Sequence, residues 1–150
     1  MSFIDDVFTV LSEDEILFDL LTGGMYSGSG EDGVREISRQ NTPAAFDTNK
    51  KIKPCLLAVS NTDLRSGPYA RSIITTFSIY FYQLKGFDVI EQAMARCYDL
   101  LNEQRIGTQI WEIVFSNSVE NQNDIALDCS LSTQRYVATR MRAEYAAEGS

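Results

Sequence analysis

Gly28-Ser29-Gly30-Glu31-Asp32-Gly33 has the G-x-G-x-x-G spacing of a loop that cradles a pyrophosphate. That chemistry needs a strand before the loop and a helix after it, so that backbone N–H groups and a helix dipole meet at the anion. Here the residues before it read as a helix, those after it are poor helix formers, and Glu31 and Asp32 would set two carboxylates beside the phosphate. The segment is therefore read as a loop rather than a nucleotide site. The chain contains no histidine, which removes Ser-His-Asp and Cys-His nucleophiles, histidine zinc sites and imidazole acid–base chemistry together. The acidic groups Asp5/Asp6, Glu13/Asp14/Glu15 and Glu31/Asp32 fall on expected helix faces, caps or loops, where solvated charge is the ordinary role. Cys55, Cys97 and Cys129 are widely spaced and odd in number, so buried reduced thiols are expected, with no disulfide or metal. No catalytic, cofactor-binding or metal-ligating set emerges, and the chain reads as non-enzymatic.

At 150 residues and 44% hydrophobic content the chain is expected to form one domain with a real core. Thirteen basic against 21 acidic residues give a net charge of −8. That balance opposes gripping nucleic acid by its phosphates, yet suits a wall past which DNA slides. The first residues carry no positive stretch, and no apolar run approaches the ~18 residues of a membrane span. A soluble, non-secreted protein without a membrane partner is expected.

The elements that would position any site are legible in pattern. Phe3–Leu21 reads as helix, broken near Ser12, where Ser12-Glu13-Asp14-Glu15 has the form of a capping box with Leu11 and Ile16 as its staple. Gly23-Gly24 closes the second helix. Residues 27–53 read as a long polar surface loop, with a possible strand over Val34–Ser38 and a helical turn or anchor at Pro43–Phe46. Pro54–Ser60 is a strand, and Asn61–Tyr69 a turn. Arg71–Leu84 is almost entirely β-branched or aromatic, apolar on both faces. Such a strand needs a two-sided core or a subunit on one side. After Gly86, Ile90, Met94, Cys97, Tyr98 and Leu101 recur at helical spacing. Ile110–Ser116 and Ile125–Ser132 are strands joined by a polar link, the latter extending toward Val137. Arg135, Arg140 and Arg142 form a small basic cluster, expected to be solvated or to pair with acidic neighbours. This order predicts an α+β fold, a mostly antiparallel sheet with helices on one face in a two-layer sandwich. One domain spans 1–142, and 143–150 form a flexible tail.

Leu20-Leu21-Thr22-Gly23-Gly24-Met25-Tyr26, the strand Pro54–Val59, the strand ending Phe77–Tyr82, the helix Phe87–Leu101 and the strands Trp111–Phe115 and Ile125–Leu131 follow one another in a telling order. From Phe3 to Met141 this order resembles the tail terminator, or tail-completion, proteins of long-tailed bacteriophages. The resemblance implies a virion protein at the head–tail junction, made in the host cytoplasm and assembled as a hexameric ring. Such a ring would cap the tail tube protein, offer a surface to the head-completion or connector protein, and pass DNA through its channel without specific binding. Within that reading, Glu31, Asp32 and Arg35 of the long loop are expected to touch the partner ring, and Tyr80 and Tyr82 to lie at or near a subunit interface. The alternatives are another neck component, a head-closure or adaptor protein, or a small non-catalytic ligand-binding α+β module.

Overall fold

The β-branched and aromatic run becomes the middle strand of a five-stranded sheet. The computed structural model describes residues 3–28, 33–34, 36–66, 72–106 and 110–141. Its elements are α1 (Phe3–Ser12), α2 (Glu15–Leu20), β1 (Met25–Ser27), a 3-10 turn (Pro43–Ala45), β2 (Cys55–Ser66), β3 (Ser72–Gln83), α3 (Asp88–Leu101), β4 (Ile110–Asp124) and β5 (Cys129–Met141). The strand order is β1-β2-β3-β5-β4, with only the β1–β2 pair parallel. The α+β, mostly antiparallel expectation holds.

The helices form one layer. Ile4, Val7 and Leu11 of α1, Leu17 of α2, and Ile90, Ala93, Met94, Cys97 and Leu101 of α3 share one buried cluster with the inward residues of the strands. β3 contributes Phe77, Ile79 and Phe81 to it, and β5 contributes Tyr136 and Ala138. Phe77 stacks on Tyr136 at 5.3 Å between ring centroids, and Phe115 meets Tyr136 edge-on at 5.7 Å. Two buried polar groups lie beneath α3 and are satisfied: Tyr136 donates its hydroxyl to Gln134 Oε1 (3.0 Å), and Gln134 Nε2 donates to the Met94 carbonyl (2.9 Å). Such pairing avoids the desolvation cost that orphaned groups would carry.

Gln83, the last residue of β3, also starts α3. Its Oε1 accepts from the backbone N–H groups of Val89 (3.0 Å) and Ile90 (3.1 Å), while Nε2 donates to Lys85 O and to the Asp88 carboxylate. Phe87 occupies the cap position without a side-chain bond, so the strand supplies the partners that a cap residue would normally give. Gly86 permits the tight reversal at φ +76.

The second face differs from a bare two-layer plan. A parallel pair needs a crossover of a dozen or more residues, and residues 28–54 are that crossover between β1 and β2. They fold back onto the sheet, burying Ile37, Ala45, Phe46 and Ile52 against Cys55, Leu57, Tyr82, Leu127 and Cys129. Asp47 Oδ1 accepts from the N–H groups of Asn49 (2.8 Å) and Lys51 (3.0 Å), and Arg39 lies 5.2 Å over the Phe46 ring while donating to Lys50 O (3.0 Å). The expected surface loop is thus a structural third layer over part of the sheet. The helical turn and Phe46 anchor stand as expected, but Val34–Ser38 forms no strand among its described residues.

Other boundaries move for identifiable reasons. Asp14, not Ser12, caps α2: its carboxylate accepts from Leu17 N–H at 3.0 Å, and Ile16 is exposed rather than stapled. β2 runs on to Ser66 through an irregularity between Ser60 and Leu64, where a turn was expected. β4 continues to Asp124, so the supposed polar link is strand and Ile125–Asp128 is the reversal, with Ile125 94% exposed. Tyr98 is exposed beyond the helix face that buries Met94 and Cys97. The expected 143–150 tail lies outside the described residues.

Removing the anchor of the crossover layer tests whether that layer is structural. Phe46→Ala should lower the free energy of unfolding by about 3 kcal/mol in chemical denaturation. A change below about 0.5 kcal/mol would mean that the layer is dispensable to the fold.

Candidate assembly surface

β3 carries large apolar residues on both sides, and among the described residues the crossover covers only one end of its second face; toward β4 the other end is exposed, although Ser78 and Thr133 within it are buried. Paired residues share a face. Along this one run the rows Tyr80/Thr133/Val119, Ser78/Arg135/Asn117, Thr76/Val137/Val114 and Ile74/Thr139/Glu112 across β3, β5 and β4. Val114 is 43% exposed, Ile74, Tyr80 and Val137 are half-buried, and Arg135 is exposed. Exposed apolar residues joined into one patch mark contact surfaces more often than scattered ones do.

A second apolar feature lies in the helix layer. α2 exposes Phe18 (70%) and Ile16 (50%), flanked by the exposed carboxylates Glu13, Glu15 and Asp19. Phe8, Phe18, Leu21 and Met25 line an open groove of about 630 Å³ between α1, α2 and β1. The position of α2 is fixed from a distance. Arg96 of α3 forms a two-pronged ion pair with Asp14, Nε to Oδ2 at 3.0 Å and Nη2 to Oδ1 at 2.7 Å. One carboxylate therefore serves as the α2 cap and as the tie to α3. The Arg96 hydrogen bond holds the Asp14 carboxyl below its ordinary value, against an opposing effect of burial, with the Leu17 N–H adding to the lowering.

The sequence-predicted residues scatter. Glu31, Asp32 and Arg35 lie outside the described residues. Tyr80 borders the open face, whereas Tyr82 is 7% exposed beneath the crossover layer, where burial raises its phenol far above the usual range. Gly28 belongs to sheet packing: its N–H donates to Ala58 O at 2.9 Å, and a Cβ there would come within 2.7 Å of Val59. The short strand β1, not a helix, immediately precedes it, and no helix follows among residues 33–42 that are described. Among the described residues no three Cys, Asp or Glu side chains converge as a metal site. All three cysteines are free and buried; burial pushes Cys55 and Cys129 up to about 12 and Cys97 higher still. Cys55 and Cys129 share a cluster, but β3 runs between their strands, a lateral gap of about 10 Å that no disulfide spans. The exposed ridge of α2 is hidden in the sequence because Ile16 fits a hydrophobic staple; its cue is that acidic residues stand on both sides of Ile16 and Phe18.

No protein-family model matches the chain, and no curated protein does. A chain in the virion of a native gene transfer agent particle is similar in structure, with a TM-score of 0.66 over 94% of this chain and 96% of that one, at 13% sequence identity. The two chains share a fold.

The Asp14 tie carries a pH signature. A carboxyl held below its ordinary 3.8 contributes stability that is fully present above that value and is lost as pH falls through its lowered folded value. Asp14→Ala should cost about 1 kcal/mol at pH 7. The gap to wild type should close as the pH of a melting series falls from 3.8 through the lowered folded value; a gap independent of pH would contradict the assignment.

Proposed function

We propose that this chain is a structural protein of a phage or phage-like virion, a tail terminator that closes into a hexameric ring at the head-proximal end of the tail tube. The observation that carries this reading is the likeness, over nearly the whole of both chains, to a chain of a gene transfer agent virion. The order of elements that resembles tail terminators supports the finer assignment. So does the surface: an apolar patch left open on one face of the sheet and an apolar ridge in the opposite layer suit a subunit that meets copies of itself. A net charge of −8 suits a channel that DNA crosses without adhering.

In this reading the ring stops tube growth, presents one face to the tail tube protein and the other to a head-completion or connector protein, and binds no cofactor. Glu31, Asp32 and Arg35 contact the adjoining ring, and Tyr80 lies at the subunit boundary. Tyr82, packed inside the protomer, supports that boundary by holding the crossover layer in place.

Two experiments test this. Light scattering over a concentration series, with negative-stain images in the presence of purified tail tubes, should give rings of defined number, free or on tube ends. A compact monomer that ignores tubes would overturn the reading. Replacing Glu31, Asp32 and Arg35 together by alanine should leave ring formation intact while abolishing head joining in a complementation assay; undiminished joining would remove these residues from the contact.

A further inference from the structure

We propose that the open end of the sheet's second face receives α2 of a neighbouring copy of this chain, so that α2 is the knob and the β3–β5–β4 face the socket of the ring contact. The inference rests on the ring reading and assigns its surfaces.

The first argument is that α2 is built in a way that its own protomer does not reward. At about 100° per residue, Glu15 and Asp19 share the line opposite buried Leu17, with Ile16 and Phe18 on either side. Like charges four residues apart oppose helix formation, and an acid near the C-terminal end opposes the helix dipole. A helix of six residues has no stability to spare for them. Phe18 and Ile16 add apolar area that stays largely exposed in the protomer.

The second argument is complementarity. The socket offers Ile74, Val114 and Val137 with Arg135, which has no carboxylate within 4 Å among the described residues. Glu112 is the one acidic residue on these rows, and it stands at the far edge beside Thr139. An acidic ridge with apolar shoulders thus meets an apolar surface with a central cation. The dimensions also agree: three strands make a surface about 10 Å wide, the width of a helix with its side chains.

The geometry dictates the kind of assembly. Knob and socket lie on opposite layers of one protomer, so two copies cannot satisfy both surfaces mutually; the contact is head-to-tail and yields a ring or a filament. A helix of two turns covers far less than the ~800 Å² per partner of a standard stable interface. A single contact is therefore weak, and closure of the ring or docking on a tube supplies the avidity.

The test uses complementary variants of the full chain. Phe18→Asp spoils the knob and leaves the socket, while Val114→Asp spoils the socket and leaves the knob. Both positions are exposed, and unchanged melting temperatures would verify folding; Arg135→Glu is a second socket variant on a solvated side chain. Each variant alone should need at least about tenfold more protein for half-maximal assembly, by light scattering or by decoration of tail tubes. Mixed, the two should form heterodimers that grow no further. Variants that assemble like wild type would overturn this contact while leaving the ring reading standing. A wild-type chain that assembles neither alone nor on tubes would overturn the ring reading itself, and the contact with it.

Discussion

The structure is organised around a strand that carries large apolar residues on both sides. β3 presents Phe77, Ile79 and Phe81 to one face and Tyr82, Tyr80 and Ile74 to the other. Helices bury Phe77, Ile79 and Phe81 on the first face. Among the described residues no helix covers the second; the polar crossover supplies its cover through a few well-spaced apolar residues, Ile37, Ala45, Phe46 and Ile52. Leaving a residue such as Tyr82 exposed would forgo on the order of 2 kcal/mol of burial, so the crossover and the strand stabilise each other. The crossover is short of the full length of the strands, and the part of the face that it leaves open is where the molecule has surface to offer another.

The helix layer, for its part, is held in register by polar groups that reach across elements. Gln83 joins the end of β3 to the start of α3, Gln134 joins β5 to the middle of α3, and Arg96 joins α3 to the cap of α2. Each satisfies backbone or charged groups that would otherwise be costly to bury. Together they fix α3 to the sheet and tie α2 to it at the outer surface, where an acidic two-turn helix by itself would not persist. A rigid ridge is a better contact element than a frayed one, because less conformational entropy is lost on docking.

Much of this was legible in the chain, and the failures have physical causes. The composition of Arg71–Leu84 and the spacing of Ile90, Met94, Cys97 and Leu101 announce the central strand and its covering helix, because burial alone decides those patterns. β1 was hidden: three residues between glycines show no periodicity, and without β1 the following segment reads as a loop rather than a crossover. The cap of α2 was placed at Ser12 because the local motif is good there, but Arg96, 82 residues away, favours Asp14 instead. Asn117–Asp124 is polar on both faces, as a sheet edge allows, so alternation could not reveal it. Ile125 has the composition of a strand and the position of a turn. The socket was legible only in part: Tyr80 borders it, whereas Val114 and Arg135 become neighbours through register that sequence does not specify.

The open apolar face and the fold shared with a virion chain are the observations on which the proposed assembly role at the end of a tail rests. The measurement that tests this most directly is immunogold electron microscopy of intact virions with an antibody against this chain. The account predicts label confined to the junction between head and tail. Label along the tube, over the capsid, or absent from the particle would contradict it.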